Sequence, residues 1–190
     1  MIPIQNFSVK DYSICYHGTI KKDGLLIQNS IDLTKCRYST DFGKGFYVTN
    51  NYTQARQWAE KRARSAKDEG LNSNDCLPVV IVFELNSNKL DVLLNNSFSY
   101  PDIQWADFIY NCRVEGKKNV LFHEYDSVFG PLADGRTNML VKKLESGNIT
   151  KEEFLQEVRP YSLKASQMSF HTEDALDCLT LVEVKEIEME

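Results

Sequence analysis

Apolar and polar positions along this 190-residue chain change period several times, and each change marks an element. Over residues 12–19, Ile14 and Tyr16 alternate with Ser13, Cys15 and His17. That period of two predicts a strand with His17 on its more polar face. Phe46-Tyr47-Val48 predicts a second short strand over 45–49, with Phe46 toward the core and Tyr47 on the other face. In 51–67 the period lengthens. Ala55, Trp58, Ala59 and Ala63 recur at three- and four-residue steps, which predicts a helix with these residues inward and Asn51 and Gln54 at its start. The run Pro-Val-Val-Ile-Val-Phe-Glu-Leu over 78–85 predicts a strand buried on both faces.

The second half continues the mixture. Residues 102–112 predict a helix with Ile103, Ala106 and Ile109 or Tyr110 inward. Residues 123–129 predict a strand that leaves through Gly130-Pro131, and 137–145 predict a helix ending before Gly147. Thr150 followed by Glu153 is a capping-box pattern, so a further helix starts there and stops near Pro160. Residues 166–171 predict a strand, 173–179 a short helix capped by Thr172, and 181–187 a last strand. Residues 68–75, polar and containing Gly70, predict a loop. Helices grouped between strands, not one per crossover, define an α+β order. Residues 1–190 fit one domain.

Composition adds limits. Hydrophobic content of 42% and charged content of 26% are globular values, and a net charge of −5 argues against broad nonspecific binding to nucleic acid. The basic residues of 56–67 (Arg56, Lys61, Arg62, Arg64, Lys67) read as the solvated face of their helix. Five cysteines, an odd number without a CxxC pair, predict neither a disulfide framework nor a zinc site and fit a reducing cytoplasm. No basic leader precedes an apolar run at the start, and no window approaches the ~18 apolar residues of a membrane span.

Candidate chemistry gathers at two stretches: Tyr16-His17-Gly18-Thr19 and Asp41-Phe42-Gly43-Lys44-Gly45-Phe46-Tyr47-Val48-Thr49. Glycine lets backbone lie close to a flat ligand. Histidine offers a hydrogen-bonding edge and tyrosine a face for stacking. Gly43-Lys44-Gly45 precedes a strand and lacks a third glycine, so it is no dinucleotide fingerprint. Lys44 reads as a solvated turn lysine. Cys15 and His17 come from one strand, which disfavours a thiol–imidazole catalytic pair.

In this order the two stretches resemble the nicotinamide-gripping halves of ADP-ribosyltransferases of the His–Tyr–Glu type. The wider pattern, with Asp126…Gly130-Pro131…Asp134 and Gln167-Met168-Ser169-Phe170, resembles a bacterial family catalogued as a domain of unknown function with transferase-like character. The likeness runs from about Tyr16 to Leu179. It implies an ADP-ribosyltransferase-like fold of two small packed β-sheets with flanking helices and an NAD cleft between them. It implies catalytic roles for His17, Tyr47 and Gln167, and cofactor binding by His17, Gly18, Thr19, Gly45, Tyr47, Ser169 and Asp134. His17 would bond a ribose hydroxyl, Gly18 would hold the carboxamide by its backbone, and Tyr47 would stack on the nicotinamide. At the glutamate's strand this chain has Gln167 and Ser169, which share a strand face. Gln167 takes either the glutamate's position or the acceptor-choosing position of a Gln-x-Glu pair, with Ser169 then replacing the glutamate. Glu173, Asp126 and Asp134 are other sources of charge; His123 and His171 read as structural.

The resemblance implies NAD as substrate, no metal, and transfer of ADP-ribose to a macromolecular acceptor, protein or nucleic acid. It also implies a cytoplasmic toxin, effector or phage-defence protein beside a neutralising antitoxin. A catalytically silent NAD or ADP-ribose-binding module is the alternative. Removal of an RNA 2′-phosphate would want a basic acceptor pocket, and no such cluster occurs outside 56–67.

Overall fold

The computed structural model describes residues 12–133, 135–160 and 165–188. It is an α+β fold with two small sheets and flanking helices. β1 (Ile14–Ile20), β3 (Pro78–Leu85) and β7 (Leu179–Glu186) form one sheet in the order β1-β3-β7. β2 (Phe46–Val48), β6 (Ser166–Phe170), β5 (Ser127–Pro131) and β4 (Asn95–Ser97) form the other, in the order β2-β6-β5-β4. All pairings are antiparallel except β4 with β5.

Alternation along each strand sets the layers. Cys15, Ile81 and Phe83 from the first sheet meet Phe46, Val48, Phe129, Met168 and Phe170 from the second in one apolar core. The outer face of the first sheet receives α2 (Tyr52–Asp68), whose Ala55 and Ala59 lie on Val80 and Tyr16. The outer face of the second receives α4 (Ile103–Lys117), α5 (Thr137–Glu145) and α6 (Lys151–Val158), around Phe42, Trp105, Val128, Leu140 and Phe154. β3 is buried on both faces because it is the central strand between two covers, whereas β7 is an edge strand carrying Glu183 and Lys185 outward. Among the described residues, no helix is long and apolar enough to cross a membrane.

Caps act where the side chains predict them. The Asn51 side chain accepts from the Gln54 N–H, and Thr150 and Glu153 close a reciprocal capping box. Several boundaries and faces differ from expectation. β5 starts four residues later than 123 and continues through Gly130-Pro131, because His123 spends both ring nitrogens on backbone groups outside the ladder. In α2, Trp58 is exposed and lies beside Lys61; the seam is made of alanines alone. In α4, Ile103 is exposed and Trp105 is buried, donating its indole N–H to the Pro131 carbonyl at 3.2 Å. Helices α1 (Lys21–Asn29), α3 (Ser87–Leu90) and α7 (Glu173–Leu176) are short; α1 and α3 have no counterpart in the sequence reading. The five cysteines are free thiols.

Candidate functional site

Among the described residues, one bridge joins the backbones of the two sheets. Tyr16 donates its N–H to the Thr49 carbonyl at 2.7 Å and accepts from the Thr49 N–H at 3.0 Å. Beyond it the strands part: β1 continues on β3, and β2 continues on β6. On either side of β1, Ser13 accepts from the Leu85 N–H and Lys21 donates to the Leu77 carbonyl, so the odd residues of β1 present their backbone groups to β3. Alternation then turns the N–H and C=O of Gly18 toward the edge that β2 has left.

His17 closes the mouth of this split. Its Nδ1 lies 2.7 Å from the Tyr47 carbonyl, and its ring stacks on Phe46 with centroids 4.5 Å apart. A carbonyl only accepts, so Nδ1 carries the proton. Burial pushes the imidazole pKa down, the Tyr47 bond only partly offsetting it. The ring is therefore neutral near pH 7, with Nε2 left as an acceptor. Gly18 is held by packing as well: a Cβ there would sit 1.9 Å from the Ala55 carbonyl oxygen in α2. Thr19 is buried on the His17 side of β1, beside α1, and does not reach the split.

Tyr47 lies on the opposite side of the layer from His17. Its hydroxyl accepts from the Phe42 N–H at 2.9 Å, donates to the Gly43 carbonyl at 2.8 Å, and stands 2.9 Å from Thr40 Oγ1. The half-buried ring is thus locked onto the 40–43 turn. Burial raises its phenol pKa well above the ordinary value, with the Thr40 bond opposing and nearby Asp41 adding. Gly45 is seated against β6, where a Cβ would meet the Phe170 carbonyl and His171 Nδ1, each at 2.7 Å.

Tyr47 pairs directly with Ser169 across β2 and β6, and Gln167 follows on the same face. Ser169 is fully buried and its Oγ lies 2.8 Å from His171 Nε2. His171 Nδ1 donates to the Lys44 carbonyl at 2.7 Å, so Nε2 accepts the serine proton. Burial first, and then neighbouring His123, lower the His171 pKa to about 4. This serine–histidine pair ties β6 to the 44–45 turn from inside. Gln167 is also buried, its Nε2 donating to Asp41 Oδ2 at 3.0 Å. Asp41 Oδ1 takes two bonds from Arg113, 2.6 Å from Nη2 and 3.2 Å from Nε.

Besides leaving Thr19 out of the split, the site differs from expectation in its layout. The space between the sheets is filled by core around Phe46, Met168 and Phe170, so a cleft there is closed. Tyr47, Gln167 and Ser169 lie on the outer face of the second sheet, and the link to His17 runs through the Tyr47 carbonyl at the split. The pleat dictates this, since Tyr47 alternates with Phe46 and Val48. Asp134 lies outside the described residues. Asp126 and Glu173 are engaged elsewhere: Asp126 accepts from Leu94 N–H and Thr172 Oγ1, and Glu173 opens α7. Lys44 lies over the Tyr38 ring at 4.6 Å. The sequence reading gave Asp41 no role, although it opens the second candidate stretch, and did not single out Arg113. The available signal was an acid directly before the Phe-Gly-Lys-Gly-Phe-Tyr run.

Two elements meet in this site: a split between sheets presenting strand-edge backbone, and a buried polar chain behind it. The chain belongs to the family described as "Protein of unknown function (DUF3990)", which matches residues 14–181. No curated protein and no solved structure gives a match.

Proposed function

We propose that this protein is an NAD-dependent ADP-ribosyltransferase, cleaving the nicotinamide–ribose bond and passing ADP-ribose to a macromolecular acceptor. One observation carries the reading: the strands part just where His17 bonds the Tyr47 carbonyl and β2 leaves the Gly18 edge without a strand partner, with the Tyr47 ring on the adjoining outer face. A planar carboxamide needs one acceptor and one donor at fixed spacing, and the C=O and N–H of a strand edge supply both. Tyr47 offers a ring fixed by three hydrogen-bonding partners, so stacking on it loses little conformational freedom. Neutral His17, with Nε2 free to accept, suits a ribose hydroxyl. Binding energy from the rest of the dinucleotide then holds the reacting bond in attack geometry.

A second reading, a silent NAD or ADP-ribose-binding module, draws on the amide at Gln167 and on the pairing of Asp41 with Arg113, which leave no unpaired carboxylate on this face among the described residues. Calorimetry with NAD and a nicotinamide-release assay separate the two. The transferase reading expects binding and release by the wild type, and loss of release in His17→Ala with the fold retained. Binding without release favours the module. Absence of binding refutes both.

A further inference from the structure

A carboxylate beneath the reacting ribose is the usual stabiliser of an oxocarbenium-like centre, and the strand that should carry it has a glutamine. What surrounds Gln167 accounts for the exchange. Asp41 and Gln167 are both more than nine-tenths buried, and the amide nitrogen of Gln167 is 3.0 Å from Asp41 Oδ2. An ionised carboxylate only accepts, so the amide orientation is forced. Nε2 faces Asp41 and Oε1 faces away from it. Among the described residues nothing donates to Oε1. Gln167 is diagonal to Tyr47 across β2 and β6, about 7–8 Å away at such a position, which lies within reach of a ligand stacked on the ring.

Asp41 is itself held from behind. Arg113 grips Oδ1 with two nitrogens and also donates to the Ser39 carbonyl at 2.7 Å and to Asn138 Oδ1 at 3.1 Å. Ser39 Oγ returns a bond to the Arg113 carbonyl at 3.1 Å. The turn that carries Asp41 is the one that locks the Tyr47 hydroxyl. One short segment thus sets both the stacking ring and the amide.

We propose that Asp41 is a positioning residue that holds the Gln167 carboxamide with Oε1 turned to the substrate, the negative charge expected at 167 residing one residue deeper, at 41. The inference rests on the transferase reading. It explains why a glutamate is absent: a carboxylate at 167 would face Asp41 across 3.0 Å with no proton between them, and like charges at that separation repel strongly. Gln167 is the neutral member that lets the pair be buried. Its oxygen, polarised by the Arg113–Asp41–Nε2 chain, meets the ribose hydroxyl or the developing positive charge.

The arrangement can be inverted. In the double variant Asp41→Asn/Gln167→Glu, the introduced asparagine can still accept from Arg113 through its oxygen. Through its nitrogen it can donate to the introduced glutamate, so the hydrogen bonds close and the charge moves forward. The wild type, both single variants and the double variant are compared for NAD affinity, nicotinamide release at saturating NAD, and thermal midpoint. Each single variant is expected to lower kcat at least tenfold while changing KM less than threefold. The double variant is expected to return kcat to within about threefold of the wild type or above it, and to exceed Gln167→Glu in thermal midpoint. A purely structural role for Asp41 predicts loss of midpoint without the reciprocal recovery of kcat, and that result overturns the proposal. Full release by Asp41→Asn, or a double variant no better than its worse parent, overturns it too. A wild type that binds no NAD and releases no nicotinamide removes the transferase reading and this inference together.

Discussion

Replacing Gly18 by alanine tests whether α2 or a ligand demands the glycine. The added Cβ would lie 1.9 Å from the Ala55 carbonyl oxygen, 2.8 Å from its carbon and 3.0 Å from the Ala59 nitrogen. All three atoms are helix main chain, so no side-chain rotation relieves the contact, and Ala55→Gly would not rescue it. Ordinary contact starts at 3.4 Å, so α2 must lift by about 1.5 Å, the difference from 1.9 Å. That lift unseats Ala55 and Ala59 from Val80 and Tyr16. Overpacking of this kind costs about 1–3 kcal/mol, sometimes more, and alanine's smaller unfolded-state entropy returns about 0.4–1 kcal/mol. With rigid backbone as the obstacle the upper end of the cost applies, and a net loss of roughly 2 kcal/mol is expected. For a chain of this length that lowers the thermal midpoint by about 4–8 °C. The measurement is a thermal melt without ligand, beside calorimetric titration with NAD. An unchanged or raised midpoint with NAD binding abolished would refute the packing argument, because it would mean that only the ligand needs Gly18 bare.

Two further outcomes follow from the same contacts. Tyr47→Phe keeps the ring but strands the Phe42 N–H that the hydroxyl now satisfies and frees the ring from its three partners, so a loss of about 1–3 kcal/mol in urea denaturation with a smaller loss of NAD affinity is expected; equal stability would mean that the turn does not depend on the phenol. Stability should fall as pH drops from 6.5 toward 4: the His171 pKa is lowered from 6.5 to about 4, so between these values the unfolded chain binds more protons and the native state's advantage, complete above 6.5, drains away. His17 and His123 shift in the same direction, and His171→Asn, which can still donate to the Lys44 carbonyl, should shrink the difference between urea midpoints measured about one pH unit above 6.5 and near the lowered value. A midpoint that rises on acidification contradicts the sign.

Elements that carry their own local signal were legible in the sequence. The β3 run needs only its apolar content, and α6 needs only Thr150 and Glu153 at the right spacing. α5 keeps the predicted 137–145 limits, with Gly147 just beyond in a left-handed conformation, φ 70°. β4 was illegible because Asn-Asn-Ser has no apolar position; it is a strand only because β5 lies beside it. α1 was illegible because Gly24 interrupts its period, and Gly24 is there to let the helix approach Val79. Trp58 and Trp105 show the same limit from the other side. Both lie on helices, yet an alanine seam excludes one from the core while a pocket beside Pro131 takes the other. Of the candidate site, His17, Gly18 and Tyr47 could be singled out because their motifs are local. Asp41 could not be assigned a role, because its partners lie 72 and 126 residues away.

The features that make the split also make it a short join between the sheets. β2 has three residues, it pairs only with β6 among the described strands, and its backbone link to β1 is the Tyr16–Thr49 bridge just past its end, with His17 on Phe46 and the Tyr47 carbonyl beside it. Three residues of ladder are a small barrier to local opening. The fold compensates from the flanks: the Tyr47 hydroxyl ties β2 to the preceding turn, His171 ties the same turn to β6, and the Asp41–Arg113 pair ties it to α4. Each of these ties is polar, and each uses a group facing the split or the face beside it. Apolar packing would have held β2 more simply, as it does on the inner side with Phe46 and Val48. Polar ties instead leave hydrogen-bonding groups such as His17 Nε2 and Gln167 Oε1 oriented and unfilled, at some cost in desolvation. On the proposed transferase reading, the first of these atoms meets a ribose hydroxyl and the second the reacting ribose.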